Sequence, residues 1–158
     1  MAGVKLRGIT SIITAPSIAT VHTMYKLAAA ANHGILIYRV QVDLDPNGRS
    51  ASKVAQVTVN KPTAGLQAYE TDRNPIKLRE DPEGVQTTGR EKATTEPTAG
   101  VTLDSRQVSI GGTGITTVIF SYPRGLKIDG GELFSVAITE PNSPSAYAKY
   151  QVTVDLEE

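Results

Sequence analysis

The chain is dominated by short segments in which apolar and polar residues alternate, and these segments recur over nearly its whole length. Successive side chains of a β-strand point to opposite faces of a sheet, so a period of two predicts strands that are buried on one face. The clearest alternation covers residues 4–7, 35–44, 54–59, 116–122, 133–138 and 150–156. The sequence therefore predicts an all-β protein.

Roughly nine strands are predicted, separated by breaks rich in Gly, Pro, Asn and Asp. They cover residues 3–13, 19–28, 34–44, 53–60, 74–79, 106–111, 115–122, 132–139 and 147–156. The breaks DPNGRS at 45–50 and GGTG at 111–114 supply the backbone angles of tight turns, and both are interpreted as hairpins. The best helix former, LAAAAN at 27–32, is too short to form a stable helix alone.

The length of 158 residues suits one domain, and residues 1–158 are interpreted as a single antiparallel β-sandwich. With two Phe and no Trp, the core must be filled mainly by Val, Ile, Leu and Ala. The absence of Cys excludes disulfides, thiolate metal sites and Cys nucleophiles. Residues 1–14 are interpreted as an N-terminal arm or edge strand, which pairs with a sheet of the same or a neighbouring subunit.

Residues 61–100 differ from the rest of the chain. They contain four prolines and charges without a period. A few apolar residues are plausible anchors: Leu66, Tyr69, Ile76, Leu78 and Val85. A long loop of this kind is usually functional or makes contacts outside its domain. The stretch is therefore predicted to be a long central loop excursion.

The net charge is zero, from 16 basic and 16 acidic residues, so no overall field attracts nucleic acid or an anionic membrane. Residues 1–50 hold five basic and two acidic residues, whereas residues 101–158 hold four basic and seven acidic ones. Two interpretations stay open: the basic front and the acidic tail meet across a subunit contact, or both are solvated. No segment reaches the roughly 20 apolar residues of a membrane span. Neither nucleic acid nor a membrane is predicted as a partner.

One segment resembles the start of a calcium-binding loop. Asp43, Asp45 and Asn47 occupy alternate positions before Gly48, but Val54 stands where such a loop needs its twelfth-position Glu. The flanking segments also alternate as strands, whereas the calcium loop joins helices. A hairpin turn with a solvated acidic edge is favoured, and a weak surface calcium site stays open.

The other candidate groups lack partners in sequence. His22 and His33 have no acidic residue close by, so they are interpreted as an ordinary strand residue and a turn residue. No nucleophile elbow is present, and GGTGITT lacks the Lys-Ser/Thr ending of a phosphate loop. Six carboxylates of the excursion are candidates for a hydrolytic pair but are interpreted as solvated: Glu70, Asp72, Glu80, Asp81, Glu83 and Glu91. We predict no catalytic, cofactor-binding or metal residue, no cofactor, and no enzyme.

The stretch YRVQVDLDPNGRSASKVAQVTVNKP at 38–62 resembles a strand, turn and strand of small structural proteins of tailed phages. The segments that follow in the family's order are EPTAGVTLDSRQVSIGG at 96–112, FSYPRG at 120–125, GGELFSVAITEP at 130–141 and AYAKYQVTVDLEE at 146–158. The resemblance covers about residues 19–158. The charged stretch at 69–92 is longer than the corresponding connection in the family.

The resemblance implies a jelly-roll-like sandwich that serves as an auxiliary virion protein on the capsid surface. The expected role is that of a capsid decoration or cement protein, which bridges subunits of the major capsid protein and forms a homotrimer. The N-terminal arm and the excursion are expected to make the contacts. One alternative is a tail or head-fibre component.

Another alternative is a carbohydrate-binding jelly roll. Sugar sites usually present exposed aromatic side chains. The tyrosines here fall mostly in strand patterns that indicate core or inter-strand packing: Tyr25, Tyr38, Tyr69, Tyr122, Tyr147 and Tyr150.

Overall fold

The computed structural model describes residues 3–14, 21–47, 53–64, 71–80, 83–91, 96–112, 114–139 and 149–158. Over these residues the chain forms two antiparallel sheets that pack face to face, and it contains no helix. The prediction of an all-β antiparallel sandwich is therefore confirmed.

Twelve strands follow one another along the described chain. They are β1 Lys5–Ile9, β2 Ile13–Thr14, β3 Val21–Ala28, β4 Ile35–Asp45, β5 Lys53–Lys61, β6 Thr71–Asp72, β7 Ile76–Lys77, β8 Thr88–Glu91, β9 Val101–Ile110, β10 Thr116–Ile128, β11 Leu133–Thr139 and β12 Lys149–Glu157.

The strand order is that of a jelly roll. The first sheet runs β10, β4, β12, β1, β7, with β2 also on β12, and the second runs β6, β8, β3, β11, β5, β9. Four pairs are nested in sequence, β1 with β12, β3 with β11, β4 with β10 and β5 with β9, as in one long hairpin. Pairing of β4 with β12 and of β5 with β11 closes this hairpin into a roll.

The interpretation of 45–50 and 111–114 as hairpins is wrong. β4 lies in the first sheet and β5 in the second, and β9 and β10 are likewise divided between the sheets. Gly and Asn supply the same backbone angles to a hairpin and to a connection between sheets. The Gly and Asn residues therefore predicted where one strand ends and the next begins. They did not predict which strands pair, because the pairing depends on how the whole chain folds into the jelly roll.

The longest strand, β10, extends well past its predicted end at Tyr122. Its register with β4 shifts between Ser121 and Leu126, where a bulge interrupts the ladder. Gly125 has a φ of 76°, a left-handed conformation that favours glycine. The turn-like segment at 123–125 is therefore a bulge inside a strand.

Aliphatic side chains fill most of the core, as predicted. In β4, alternate residues on each side of a bulge face inward and are buried: Ile35, Ile37, Val40, Val42 and Leu44. Phe120, Phe134, Tyr25 and Tyr150 add the large aromatic groups. Burial of a side chain such as Val, Leu, Ile or Phe contributes roughly 1.5–3 kcal/mol to stability. Most of the buried side chains are aliphatic, so together they contribute the larger share.

The N-terminal segment belongs to the first sheet of its own chain. β1 pairs with β12 on one side and with β7 on the other. Arg7 Nε donates to Asp155 Oδ1 at 2.6 Å, and Lys5 lies opposite Glu157. The basic front and the acidic tail therefore meet within one chain, an arrangement outside the two interpretations that the sequence left open.

The excursion contributes strands to both sheets. It leaves the second sheet after β5 and supplies β7 next to β1 and β8 next to β3, with β6 beyond β8. β7 lies inside the predicted strand at 74–79, whereas β6 and β8 were not predicted. The described parts of the excursion thus cover the edge that β1 and β3 would otherwise expose.

Candidate functional site

Among the described residues, four exposed large apolar side chains lie near one end of the sandwich. The ends of β2, β4, β10 and β12 meet there in the first sheet, and those of β3, β5, β9 and β11 meet there in the second. The exposed fractions are 70% for Ile12, 66% for Ile115, 58% for Val54 and 45% for Val21. Because exposed apolar groups favour contact with another protein, the end defined by these four residues, called here the apolar end, is a candidate docking surface.

A cleft of about 360 Å³ opens on the outer face of the second sheet. Its floor consists of residues of β3, β5 and β11 whose neighbours in sequence face the core, and residues 96–100 form one wall. Glu96 lines it with a carboxylate, and the uncharged polar groups that line it are Thr23, Gln56, Thr58, Asn60, Thr98, Thr102, Ser135 and Thr139. Such a lining suits hydrogen bonding to a polar ligand.

Hydrogen bonds between neighbouring side chains order the cleft. Asn60 Nδ2 donates to Thr58 Oγ1 at 2.9 Å, and Thr102 Oγ1 donates to Asn60 Oδ1 at 3.0 Å. Gln56 Nε2 donates to Ser105 Oγ at 2.7 Å. The lining therefore has a defined arrangement of donors and acceptors.

Glu96 stands in the wall of the cleft. Its carboxylate accepts the Thr23 amide at 2.9 Å and also the Thr23 hydroxyl. Burial opposes the charged form, but the nearby His22 and hydrogen bonds from Thr23 hold the pKa of Glu96 below its usual value. The carboxylate thus fastens the 96–100 segment to β3.

His22 links the two sheets behind this carboxylate. Its Nε2 lies 2.8 Å from the Tyr150 hydroxyl, and its Nδ1 lies 3.7 Å from Glu96 Oε1. Burial, followed by the charges of Glu91 and Glu96, raises the pKa of Tyr150. Carboxylate, imidazole and hydroxyl stand in the order of a catalytic relay, but the hydroxyl is buried and is not presented to a substrate. His22 is a strand residue as predicted, with an acidic neighbour that lies far away in sequence.

Glu91 is buried, so its interpretation as a solvated carboxylate is wrong. It accepts the Ser11 amide and the Ser11 hydroxyl at 2.7 Å each, and Arg73 Nε lies 3.2 Å away. These contacts join β8 to the N-terminal segment and to the excursion. The role of Glu91 is structural.

Among the other candidate carboxylates, Asp72 is exposed and lies 2.9 Å from Arg90. Glu80 and Glu83 are exposed as predicted, whereas Glu70 and Asp81 lie outside the described residues.

Glu158 holds a second part of the excursion. Its carboxylate accepts the amides of Gln86 and Thr87 at 2.9 Å and the Thr87 hydroxyl at 2.6 Å. Sequence analysis did not single out Glu91, Glu96 or Glu158 as anchors. No local sequence pattern identifies these carboxylates as anchors, because the groups that they bind are distant in sequence and come close only in the folded jelly roll.

Tyr25 fills the space between the two sheets at the same edge. Its hydroxyl donates to the Arg73 carbonyl at 2.7 Å. A Cβ on Gly8 would lie 2.4 Å from this hydroxyl, and a Cβ on Gly89 would lie 2.6 Å from it. Both glycines are therefore required for the close approach of the ring.

The acidic residues of the calcium-like segment have other partners. Asp43 accepts from Gln41 Nε2 at 3.0 and 3.1 Å and from Thr117 Oγ1 at 2.7 Å. Asp45 accepts the Asn47 amide at 2.8 Å, and Asn47 has a φ of 52°. Gly48 lies outside the described residues, which contain no group of three or more His, Asp or Glu placed to hold a metal ion.

His33 is exposed beside the turn after β3, as predicted, and its amide donates to the Ala30 carbonyl at 3.0 Å. Of the tyrosines, Tyr25 and Tyr150 are buried and Tyr38 and Tyr122 are half-buried. Tyr69 and Tyr147 lie outside the described residues.

Comparison with known proteins gave no match to a family model, to a curated protein or to a solved structure. Within the described ranges, no helix is both long enough and apolar enough to cross a membrane.

Proposed function

We propose that this protein is an auxiliary structural protein of a tailed-phage virion, a capsid decoration or cement protein that bridges subunits of the major capsid protein on the particle surface. The observation that carries the proposal is the apolar end of the sandwich, formed by Ile12, Val21, Val54 and Ile115. The jelly-roll topology and the resemblance of residues 19–158 to phage structural proteins agree with this role.

Polar contacts that hold the outer segments to the sheets support the same role. The buried carboxylate Glu91 and the partly buried Glu96 fasten the excursion and the N-terminal segment to the sheets. A protein that braces a shell needs a stiff body and a surface that binds its neighbours, and it has no need of a pocket.

The expected contact surface coincides only in part with the one that the sequence indicated, because only Ile12 of the apolar end belongs to residues 1–14. β1 and β8 pair with a described strand on both sides, so their main-chain groups are used within the two sheets. The apolar end is the surface that we assign to the capsid. The homotrimer, the virion location, and the absence of enzymatic activity and of nucleic-acid or membrane partners stay predictions.

The test is binding of the purified full chain to empty phage shells, followed by cryo-electron microscopy. Ile115→Asp is expected to weaken shell binding at least about tenfold, because a charge would have to be buried in the contact. Ile76→Asp is the matched control, since Ile76 is 59% exposed but lies in β7, next to β1 and away from the apolar end. Equal loss in both variants, or no binding by the wild type, would overturn the assignment.

The number of copies per virion distinguishes a decoration protein from the first alternative, a tail or head-fibre component. Density at many equivalent capsid positions is expected for a decoration protein. Density confined to the tail, to its vertex or to a few fibres would instead make the protein a tail or head-fibre component.

The cleft favours a second candidate function, a carbohydrate-binding jelly roll. Its hydroxyl and amide groups match the hydrogen-bonding groups of a sugar, although no described aromatic side chain lines it. A glycan array probed with the wild type and with Thr58→Tyr, which fills the cleft, tests this function. Thr153→Tyr, on the outer face of the first sheet, is the control. Silence of the wild type on the array would exclude this candidate.

A further inference from the structure

Within the described residues, the last strand of the second sheet, β9, is paired on one side only. It pairs with β5 over ten residues, and no strand of the described residues pairs with its other side. Most of its residues are exposed or half-buried. An edge of this length can pair with another chain unless something prevents it.

Two hydrogen bonds identify which main-chain groups face outward. The Ser105 amide is bound by the Asp104 carboxylate at 2.8 Å, and the Ser109 carbonyl accepts from Thr116 Oγ1 at 3.3 Å. Alternate residues of an antiparallel strand direct their N–H and C=O groups to the same side. Ser105, Gln107 and Ser109 therefore form the outward set.

Two opposite charges flank Ser105. Asp104 and Arg106 lie in register with Val59 and Val57, which face the core. The Asp104 carboxylate accepts from the Tyr122 hydroxyl at 3.2 Å, and the Arg106 guanidinium lies 5.2 Å from the centre of the Phe120 ring. Charges that point inward from an edge strand oppose indiscriminate pairing, because most partners would leave them without a countercharge.

We propose that the partner of this edge is a second copy of the chain, with the two β9 strands paired antiparallel around a two-fold axis at Ser105. This register places Asp104 of each copy opposite Arg106 of the other, so both charges gain a partner. The Ser105 amide exchanges the Asp104 carboxylate for the Ser105 carbonyl of the second copy. The two second sheets become one continuous sheet.

The charge pattern selects this register. A shift of the axis to Arg106 would place two arginines opposite each other, and a shift to Asp104 would do the same with two aspartates. A bulge between the pairs Val59–Asp104 and Asn60–Thr102 interrupts the edge on one side of the axis. The two Asp104–Arg106 pairs next to the axis therefore determine the register in which the two strands pair.

The experiment measures the mass of the full chain by sedimentation equilibrium over a range of concentrations, for the wild type and three charge variants. Asp104→Arg places arginines opposite each other, and Arg106→Asp places aspartates opposite each other. Each single variant is expected to raise the dimer dissociation constant at least about tenfold. The double variant Asp104→Arg/Arg106→Asp restores opposite charges and is expected to recover most of the affinity.

The double variant also distinguishes a loss of dimer contact from a loss of folding. It lacks the same contacts to Tyr122 and Phe120 as the single variants, so only the restored charge pairs can recover its affinity. Circular dichroism of every variant confirms folding, and Glu80→Arg, an exposed acidic residue elsewhere, controls for net charge. A dimer of this kind replaces the homotrimer that the resemblance implies, and the same measurement decides between the two. A wild type that stays monomeric, a trimer, or a dimer that the single variants leave unchanged would overturn the proposal. The assembly does not depend on shell binding, so it can fail while the proposed function stands.

Discussion

The two edges of the sandwich, where the two sheets meet the solvent, are closed in different ways. At the edge of β1 and β3, the excursion adds short strands, and a buried carboxylate, Glu91, fastens them. At the edge of β9 and β10, side chains close the gap between the sheets: Arg106 lies over Phe120, and Tyr122 donates to Asp104. We call these the covered edge and the open edge.

The difference shows where the stability of the fold is concentrated. The covered edge depends on polar contacts to a buried carboxylate, and the loss of that carboxylate leaves half-buried donors without hydrogen bonds. The open edge depends on contacts that water reaches. We therefore expect substitutions at the covered edge to cost much more than substitutions at the open edge.

The largest effect is expected at Glu91. Glu91→Ala removes a buried carboxylate, leaves the half-buried amide and hydroxyl of Ser11 without their partner, and removes the countercharge of Arg73. The expected loss in the free energy of unfolding is about 2–4 kcal/mol, measured by urea denaturation. Asp72→Ala, an exposed carboxylate of the same edge, is the control and should change little. Equal effects of the two substitutions would contradict a special role for the buried carboxylate.

The second largest effect is expected at Gly89, which packs against Tyr25. In Gly89→Ala the new Cβ would lie 2.2 Å from the Arg73 carbonyl oxygen and 2.6 Å from the Tyr25 hydroxyl. The strain should lower the free energy of unfolding by about 1–3 kcal/mol. Gly84→Ala is matched to it, because nothing lies within 4 Å of a Cβ at that position. A neutral Gly89→Ala would mean that β8 shifts without cost.

The acid dependence of stability tests Glu96. Its folded-state pKa is lowered, so the unfolded chain binds this proton more tightly. The stabilisation is therefore present above the unfolded pKa, about 4.3, and is lost as pH falls through the folded pKa. Glu96→Gln should lower stability at pH 7, and the difference from wild type should shrink with acidification. Denaturation from pH 7 to pH 3 measures it, with Glu80→Gln as control; a difference that does not depend on pH would refute this account.

The smallest effect is expected at the open edge. Arg106→Ala removes a cation over the Phe120 ring, and such a contact at an exposed site contributes about 0.5–1 kcal/mol. Thermal unfolding at a concentration that keeps the chain monomeric measures the change, and Arg106→Lys should retain part of the contact. A loss as large as that of Glu91→Ala would reverse the order of the two edges.

Local periodicity was enough to predict most of the long strands. Segments such as 35–44 and 53–60 alternate regularly because one face of each strand is buried in the core. β9 begins five residues before its predicted start at 106, because it carries Asp104 and Arg106 inward and its alternation is broken. β6 and β8 are short and polar, so no apolar period marks them.

The polar sites were much less predictable than the strands. His22 meets Glu96 and Tyr150, and Glu91 meets Ser11, only after the roll has closed. None of these pairs has a spacing that distinguishes it from other polar residues of the chain. The same holds for the apolar end, whose four residues come from four separate segments.

The amino-acid sequence by itself determined that the chain forms half-buried strands with an aliphatic core, because alternation and composition are local properties. The tertiary structure decided which strands pair, which carboxylates are buried and which edge stays open. Most of these contacts join residues that are distant in the chain, such as Glu91 with Ser11 or Arg7 with Asp155. Such contacts depend on the closure of the whole roll, and no local pattern encodes them.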